Sequence, residues 1–333
     1  MMKVGLVGCG GIGAVHAECW LSMSEEVQLV AIADMNTQRA QKFADRCGAK
    51  IYADGKNLLD NEELDVVDIC LPTFLHAEYV IYASKKVKNI IVEKPVCLHE
   101  EEAQSLLEVQ EQTGALIQVA HVLRFSDDYR YLKEVVKSGK YGRVIAGNFA
   151  RISPRPMWMK GHDDVERTGT MALDMHIHDT DFVRYLMEGE PDEISSWDVR
   201  DSKGVIQHIW TSYQYGTARL VAEGSWDYPV TIPFAEVFRV RLEHAALVLD
   251  ERGVLTVYPE NGECFMPELE RERRDFEINV SDITPYLNEM RYFLEVIKAG
   301  ERNGIASLSE AVASFRLVRE EIEHCIPTND TYL

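Results

Sequence analysis

Val4-Gly5-Leu6-Val7-Gly8-Cys9-Gly10-Gly11-Ile12-Gly13-Ala14 decides how the first third of the chain is read. A short apolar run enters a G-x-G-x-x-G loop, and an uninterrupted helical stretch, Ala14 to Ser22, leaves it. In that setting each glycine has its own task. Gly8 permits the tight turn, Gly10 lets the main chain approach a pyrophosphate, and Gly13 lets the helix pack close to the strand. The N–H groups at the helix start attract the anion. Gly8, Gly10, Gly11, Ile12 and Gly13 are therefore the cofactor-binding candidates of this loop.

Asp34 ends the next apolar run, Leu29 to Ala33, about 20 residues beyond the glycines, where an acid accepts hydrogen bonds from the adenosine ribose. Its carboxylate would repel a 2′-phosphate, and Met35-Asn36 brings no arginine to offset it, so NAD is favoured over NADP. An N-cap for the following helix is the competing use of this aspartate.

Outward from the loop, apolar runs recur at Val66 to Leu71, Ile90 to Val92 and Leu116 to Val119. Helical stretches between them, such as Thr37 to Arg46 and Glu100 to Gln112, stop at Gly48 and Gly114. Near-continuous apolar strands alternating with helices predict a doubly wound α/β domain with a parallel sheet covered on both faces.

After about residue 140 the rhythm changes. Arg143 to Arg151, Val205 to Gln214, Thr217 to Ser225, Ala235 to Glu243 and Val254 to Tyr258 have strand character, with a tight turn at Tyr215-Gly216. Helical stretches run from Met171 to Met187, Tyr286 to Lys298 and Ser309 to His324. The expectation is a Rossmann domain over 1–122 and an α+β domain over 123–333 built on a large, open, mostly antiparallel sheet.

Of the 333 residues, 35 are Lys or Arg and 55 are Asp or Glu, a formal charge of −20. That field opposes phosphate backbones and anionic lipids, so no nucleic-acid or membrane partner is expected. No run of about 18 apolar residues occurs, and the start of the chain lacks a secretory pattern, so a cytoplasmic protein is expected. The 7 cysteines are scattered and form no CxxC pair; buried reduced thiols are expected, with no metal site and no disulfide framework.

Two further motifs carry chemistry. Glu93-Lys94-Pro95 follows the Ile90 to Val92 run directly, which places Lys94 at a strand's carboxyl end, beside a bound cofactor. Pro95 restrains Lys94 to extended geometry and could open a cis turn. In Leu173-Asp174-Met175-His176-Ile177-His178-Asp179, Asp174 and His178 share a helix face, so the acid can orient the imidazole as a base; His176 points the other way. These acids and histidines do not converge as metal ligands.

Together the glycine loop, Asp34, Leu71-Pro72-Thr73-Phe74-Leu75-His76, Glu93-Lys94-Pro95-Val96 and the Asp174–His178 segment resemble, in order, the Gfo/Idh/MocA oxidoreductases. The resemblance implies an NAD-dependent dehydrogenase that oxidises a secondary alcohol of a sugar or polyol. Lys94 would then hydrogen-bond the reacting oxygen, His178 take its proton and Asp174 orient His178. Pro72, Thr73 and His76 would line the nicotinamide side, with Glu93 and Lys94 beside them. It also implies a homodimer or homotetramer through the second domain's sheet. A single basic residue, Arg124, stands where inositol dehydrogenases tend to carry two, and Thr170 stands where the family often has a second glycine. Arg124 and Trp158 are candidate substrate contacts. An enzyme that retains and recycles its NAD, for aldose–ketose exchange or redox-assisted glycoside cleavage, and a catalytically silent sugar sensor are the alternatives.

Overall fold

The computed structural model describes residues 1–156, 165, 167–269, 282–301 and 304–327. The chain divides into two compact units, Met1–Ser126 with Arg271–Val312, and Asp127–Glu270 with Ala313–Leu333.

In the first unit β1 (Met2–Val7), α1 (Gly11–Ser22), β2 (Val27–Ala33), α2 (Thr37–Cys47), β3 (Lys50–Tyr52), α3 (Gly55–Asn61), β4 (Val66–Ile69), α4 (His76–Ala83), β5 (Asn89–Glu93), α5 (Glu100–Thr113) and β6 (Leu116–Ala120) alternate. The strands pair in the order β3-β2-β1-β4-β5-β6, all parallel. Every residue of β4 is buried, and β1, β5 and β6 are buried over their last four residues, as strands covered on both faces must be. The order reverses between β1 and β4, and a crevice at the carboxyl ends there is where such sheets take ligands. Sequence periodicity passes over β3, which at three residues is too short to show an alternation.

The first unit also draws on a later segment of the chain, Arg271–Val312. The helix Thr284–Ala299 buries Leu287, Met290, Phe293 and Leu294 in the same core as Val15, Cys19 and Trp20 of α1. An amphipathic helix has to bury its apolar stripe somewhere, and the free surface of α1 supplies the complement, so the chain returns to the first unit after building the second.

The second unit holds α6 (Asp127–Ser138), β7 (Val144–Pro154), a one-turn π segment (Ala172–His176) leading into α7 (Ile177–Met187), and then β8 (Glu193–Arg200), β9 (Ile206–Tyr215), β10 (Ala218–Tyr228), β11 (Ala235–Leu242), β12 (Ala245–Leu249) and β13 (Leu255–Pro259). The helix Thr284–Ala299 is α8, followed by α9 (Leu308–Glu323) and β14 (Cys325–Pro327). The sheet order is β13-β12-β11-β7-β10-β9-β8-β14. Pairing is antiparallel except at β7–β10 and β8–β14, so the mostly antiparallel expectation holds and the sheet is mixed. Tyr215 pairs with Ala218 across the expected turn. One sheet face is packed by an aromatic cluster in which Tyr129 of α6 meets Phe182 of α7 edge-on at 4.7 Å and Phe238 of β11 at 5.1 Å. No helix among the described residues is long and apolar enough to cross a membrane.

Candidate functional site

The glycine loop closes as its spacing requires. Gly8 has φ +98°, and a Cβ there would lie 2.3 Å from the Cys70 carbonyl oxygen. At Gly13 a Cβ would come within 2.1 Å of the Gly8 carbonyl oxygen, so the first turn of α1 can sit on the loop only without a side chain. Gly10, the residue before α1, and Gly11 have nothing within 4 Å of a Cβ position, which leaves open space beside the helix start, with Ile12 half-buried next to it. Asp34 Oδ2 accepts from Cys9 N at 2.7 Å and Oδ1 from Asn36 N at 2.7 Å, aiming the carboxylate at the loop. Each oxygen keeps a second lone pair for a ribose hydroxyl. Asn36, whose side chain accepts from Gln38 N, is the N-cap of α2, which settles the competing use of Asp34. The donor set thus fits an adenine dinucleotide without a 2′-phosphate.

Along the same carboxyl edge, Pro72 precedes the turn Thr73–Leu75, and His76 opens α4. The His76 ring is buried between two carbonyls, Nδ1 2.8 Å from Pro95 O and Nε2 2.7 Å from Leu71 O. Burial holds its pKa below the usual histidine value against the pull of those carbonyls, so a neutral ring donates to one of them at a time. His76 therefore ties the loop after β4 to the loop after β5. Lys94 is half-buried at the end of β5 and joins Pro95 through a cis peptide.

Glu93 is largely withdrawn from solvent. It is 6% exposed; Oε2 accepts from Lys94 N at 3.0 Å and Oε1 stands 3.1 Å from His16 Nε2. His16 of α1 is wholly buried, with Nδ1 at 3.0 and 3.1 Å from the Asp68 oxygens and 3.2 Å from Cys70 Sγ. Trp20 Nε1 donates to Asp68 Oδ2 at 2.7 Å. Burial pushes the imidazole toward its neutral form, but Asp68 and Cys70 outweigh it and raise the His16 pKa well above the ordinary value. His16, Asp68 and Cys70 are close enough to share an ion, yet these contacts already engage them with one another. Motif reading missed this group; its signal is a histidine inside an otherwise apolar helix and an aspartate inside Val66 to Leu71.

In the second unit the Met171 to Met187 helix does not begin as an α-helix. Its first turn, Ala172–His176, is a π segment, a form that concentrates at functional sites. In the wider turn residues four apart fall short of a full turn instead of past it, which still leaves Asp174 and His178 on one side. Both are half-buried, whereas His176 and Asp179 are fully buried. His176 Nε2 lies 3.0 Å from Glu321 Oε2 of α9, and Glu321 also accepts from Tyr213 Oη at 2.8 Å and Thr180 Oγ1 at 3.1 Å. Asp179 Oδ2 accepts from Arg151 Nε at 3.0 Å, and Arg151 holds Glu236 at 2.8 Å. Burial raises the Asp179 pKa, with Arg151 opposing it.

Lys94 belongs to the first unit, Asp174 and His178 to the second. Arg124 is 1% exposed; its guanidinium binds the Ile305 carbonyl and faces Glu310 at 3.6 Å. Trp158 lies outside the described residues. All seven cysteines are free; Cys9, Cys19, Cys70 and Cys97 are buried as expected, whereas Cys264 is exposed and Cys47 and Cys325 are half-buried. Burial pushes the Cys9 and Cys19 thiols up to about 12.

Among known families, residues 2–121 match a model described as an oxidoreductase family with an NAD-binding Rossmann fold, and residues 129–243 match a GFO/IDH/MocA C-terminal domain. The myo-inositol 2-dehydrogenase of Thermotoga maritima is 31% identical over 194 residues, 58% of this chain and 57% of that protein. An inositol 2-dehydrogenase of Rubrobacter xylanophilus is 29% identical over 272 residues, 78% of this chain and 72% of that protein. The match thus spans little more than half the length of the first relative. Levoglucosan dehydrogenase, solved with NADH and levoglucosan, shares the fold with a TM-score of 0.83 at 19% identity, covering 97% of this chain and 96% of that one.

Proposed function

The chain belongs to the GFO/IDH/MocA oxidoreductase family, with an NAD-binding Rossmann domain, and from that premise we propose that it oxidises a secondary alcohol of a sugar or polyol. Bound NAD supplies the acceptor at nicotinamide C4. The observation that carries the reading is the position of Lys94. It directly follows β5, separated from the glycine loop after β1 only by β4, so about 10 Å of sheet edge divides its main chain from the dinucleotide loop. Lys94 hydrogen-bonds the substrate oxygen. His178 takes the hydroxyl proton, and Asp174 orients the imidazole and stabilises it when protonated. Pro72 and Thr73 line the nicotinamide side, and Asp34 holds the adenosine ribose. A cytoplasmic setting agrees with seven free thiols. The open face of the second unit's sheet, which exposes Trp197 and Tyr258, is the surface for a homodimer or homotetramer.

The test is to incubate purified protein with NAD and a panel of sugars and polyols while following NADH absorbance. NAD-dependent turnover that falls by about 100-fold or more in Lys94→Ala and in His178→Ala supports the reading. Turnover unchanged in both variants overturns the site, and turnover needing no added NAD transfers the chain to the cofactor-recycling class. Light scattering of the purified protein tests the oligomer; a monomer would rule it out.

A further inference from the structure

The buried group beneath the glycine loop has a connection that neither the family description nor the proposed chemistry uses. Asp68 at the centre of β4, His16 on the helix that starts at the dinucleotide loop, and Glu93 at the end of β5 form one chain of contacts. Asp68 meets His16 Nδ1 at 3.0 Å, His16 Nε2 stands within ion-pair range of Glu93 Oε1 at 3.1 Å without hydrogen-bond geometry, and Glu93 Oε2 accepts the Lys94 main-chain N–H at 3.0 Å. All three side chains are buried: His16 and Asp68 are 0% exposed and Glu93 is 6% exposed.

We propose that His16 is a positioning residue: clamped by Asp68, it fixes the Glu93 carboxylate, which in turn fixes the main chain of Lys94. The inference rests on the proposed role of Lys94. The imidazole links the helix that carries the cofactor loop to the turn that carries the amine. A carboxylate buried among apolar groups needs a positive or donating partner, and among the described residues His16 is the side chain in contact with Glu93. The surroundings are otherwise acidic or neutral. From β4 and the residue after it come Asp68 and Cys70, and from α1 Trp20 and Cys19. From α8 comes Tyr286, whose ring centroid is 6.4 Å from that of His16. Glu289 of α8 is fully buried, with no hydrogen-bond partner among the described residues on either carboxylate oxygen. Burial, with the nearby Glu93 adding to it, raises the Glu289 pKa well above the carboxylate range, so this acid is protonated and does not compete for the imidazolium. The imidazole then lies between the Asp68 carboxylate at Nδ1 and the Glu93 carboxylate within ion-pair range of Nε2.

The experiment compares wild type, His16→Gln, Asp68→Asn and Glu93→Gln by hydrogen exchange of the segment 93–98. Histidine NMR is run alongside, with the His16 signal assigned by its loss in His16→Gln. In His16→Gln, exchange at 93–98 is expected to rise about tenfold while peptides of β1 and β6 keep their protection, the pattern of a local opening. NADH affinity, read by fluorescence, is expected to change less than about threefold, because the cofactor crevice is untouched. Glu93→Gln keeps an acceptor for the Lys94 amide and is expected to preserve protection there, while Asp68→Asn is expected to lower the titration of the His16 signal. In wild type that signal is expected to titrate above the ordinary histidine value. Unchanged exchange at 93–98 in a folded His16→Gln protein overturns the proposal. If that variant does not fold, Asp68→Asn and the wild-type titration decide, and a neutral His16 at pH 7 in wild type overturns the proposal by itself. These readouts need no substrate. Absence of turnover on every alcohol would therefore defeat the dehydrogenase reading without touching the clamp. A kcat lowered about tenfold or more in His16→Gln at unchanged substrate KM ties the clamp to catalysis, and an unchanged kcat refutes its positioning role.

Discussion

Each unit buries a histidine against acids beneath its candidate chemistry, and the two do it differently. His16 is held by residues from adjacent parallel strands and the turn that follows, Asp68 of β4, Cys70 just after it and Glu93 of β5. His176 is held by Glu321, 145 positions further along the chain, with Tyr213 and Thr180 sharing the same carboxylate. The first is a product of repetition: a parallel sheet delivers strand ends side by side, so its acids are neighbours by construction. The second depends on α9 returning to meet the sheet, and on a π turn that aims His176 inward while Asp174 and His178 stay half-buried. Buried histidine–carboxylate pairs can thus arise from a regular lattice or from one long-range docking event, and the two should fail differently.

The largest expected effect separates them. His16→Leu leaves Asp68 and Glu93 buried without their shared partner, a loss of about 3–5 kcal/mol in urea unfolding, with the second unit's own transition unmoved. If both units unfold together at the same reduced midpoint, the contrast between a local and a docked anchor fails. Glu321→Leu strands His176, Tyr213 and Thr180, and a smaller loss of about 2–4 kcal/mol is expected. It should be accompanied by increased exchange of 172–178; an unaltered exchange pattern there would mean that Glu321 does not hold the π turn.

Gly224 of β10 sharpens the same point. A Cβ there would come within 2.8 Å of His176 Cβ, so Gly224→Ala is expected to cost about 1–3 kcal/mol and to lower kcat through the displaced turn. Thermal melts and turnover, measured together, check it, and a melt within a degree of wild type would show that the histidine moves aside freely.

The smallest effect is in pH dependence. The folded pKa of His16 is raised, so its contribution is complete below the unfolded value near 6.5 and declines as pH climbs toward the folded one. Glu289 acts with the same sign, since an acid kept protonated by burial binds a proton on folding that the unfolded chain has released above about pH 4.5. Stability of the first unit is therefore expected to fall from pH 6 to pH 9, and Glu289→Gln to flatten part of that slope. Melts that rise toward pH 9 would reverse the assignment of charge in this cluster.

The parallel strand order and the glycine loop follow from local pattern, because strands covered on both faces must be apolar throughout and a pyrophosphate turn tolerates few side chains. The elements that escaped were those with weak patterns. β8 is polar along Glu193-Ile194-Ser195-Ser196, β12 is a five-residue apolar run, and β14 is three residues long. The partners of Glu93 and Arg124 were not legible either, because main-chain groups and a buried histidine from distant positions of the same unit supply them.

By itself the sequence determined the α/β order, the dinucleotide loop with its acid, and the identity of the candidate amine, imidazole and carboxylate, since these depend on residue type and spacing along one strand or turn. Tertiary structure decided which acids lie against His16 and His176, that α8 completes the first unit, and that the Asp174 segment opens as a π turn. Those outcomes depend on side chains from distant positions competing for the same buried volume and the same protons, which no local spacing encodes.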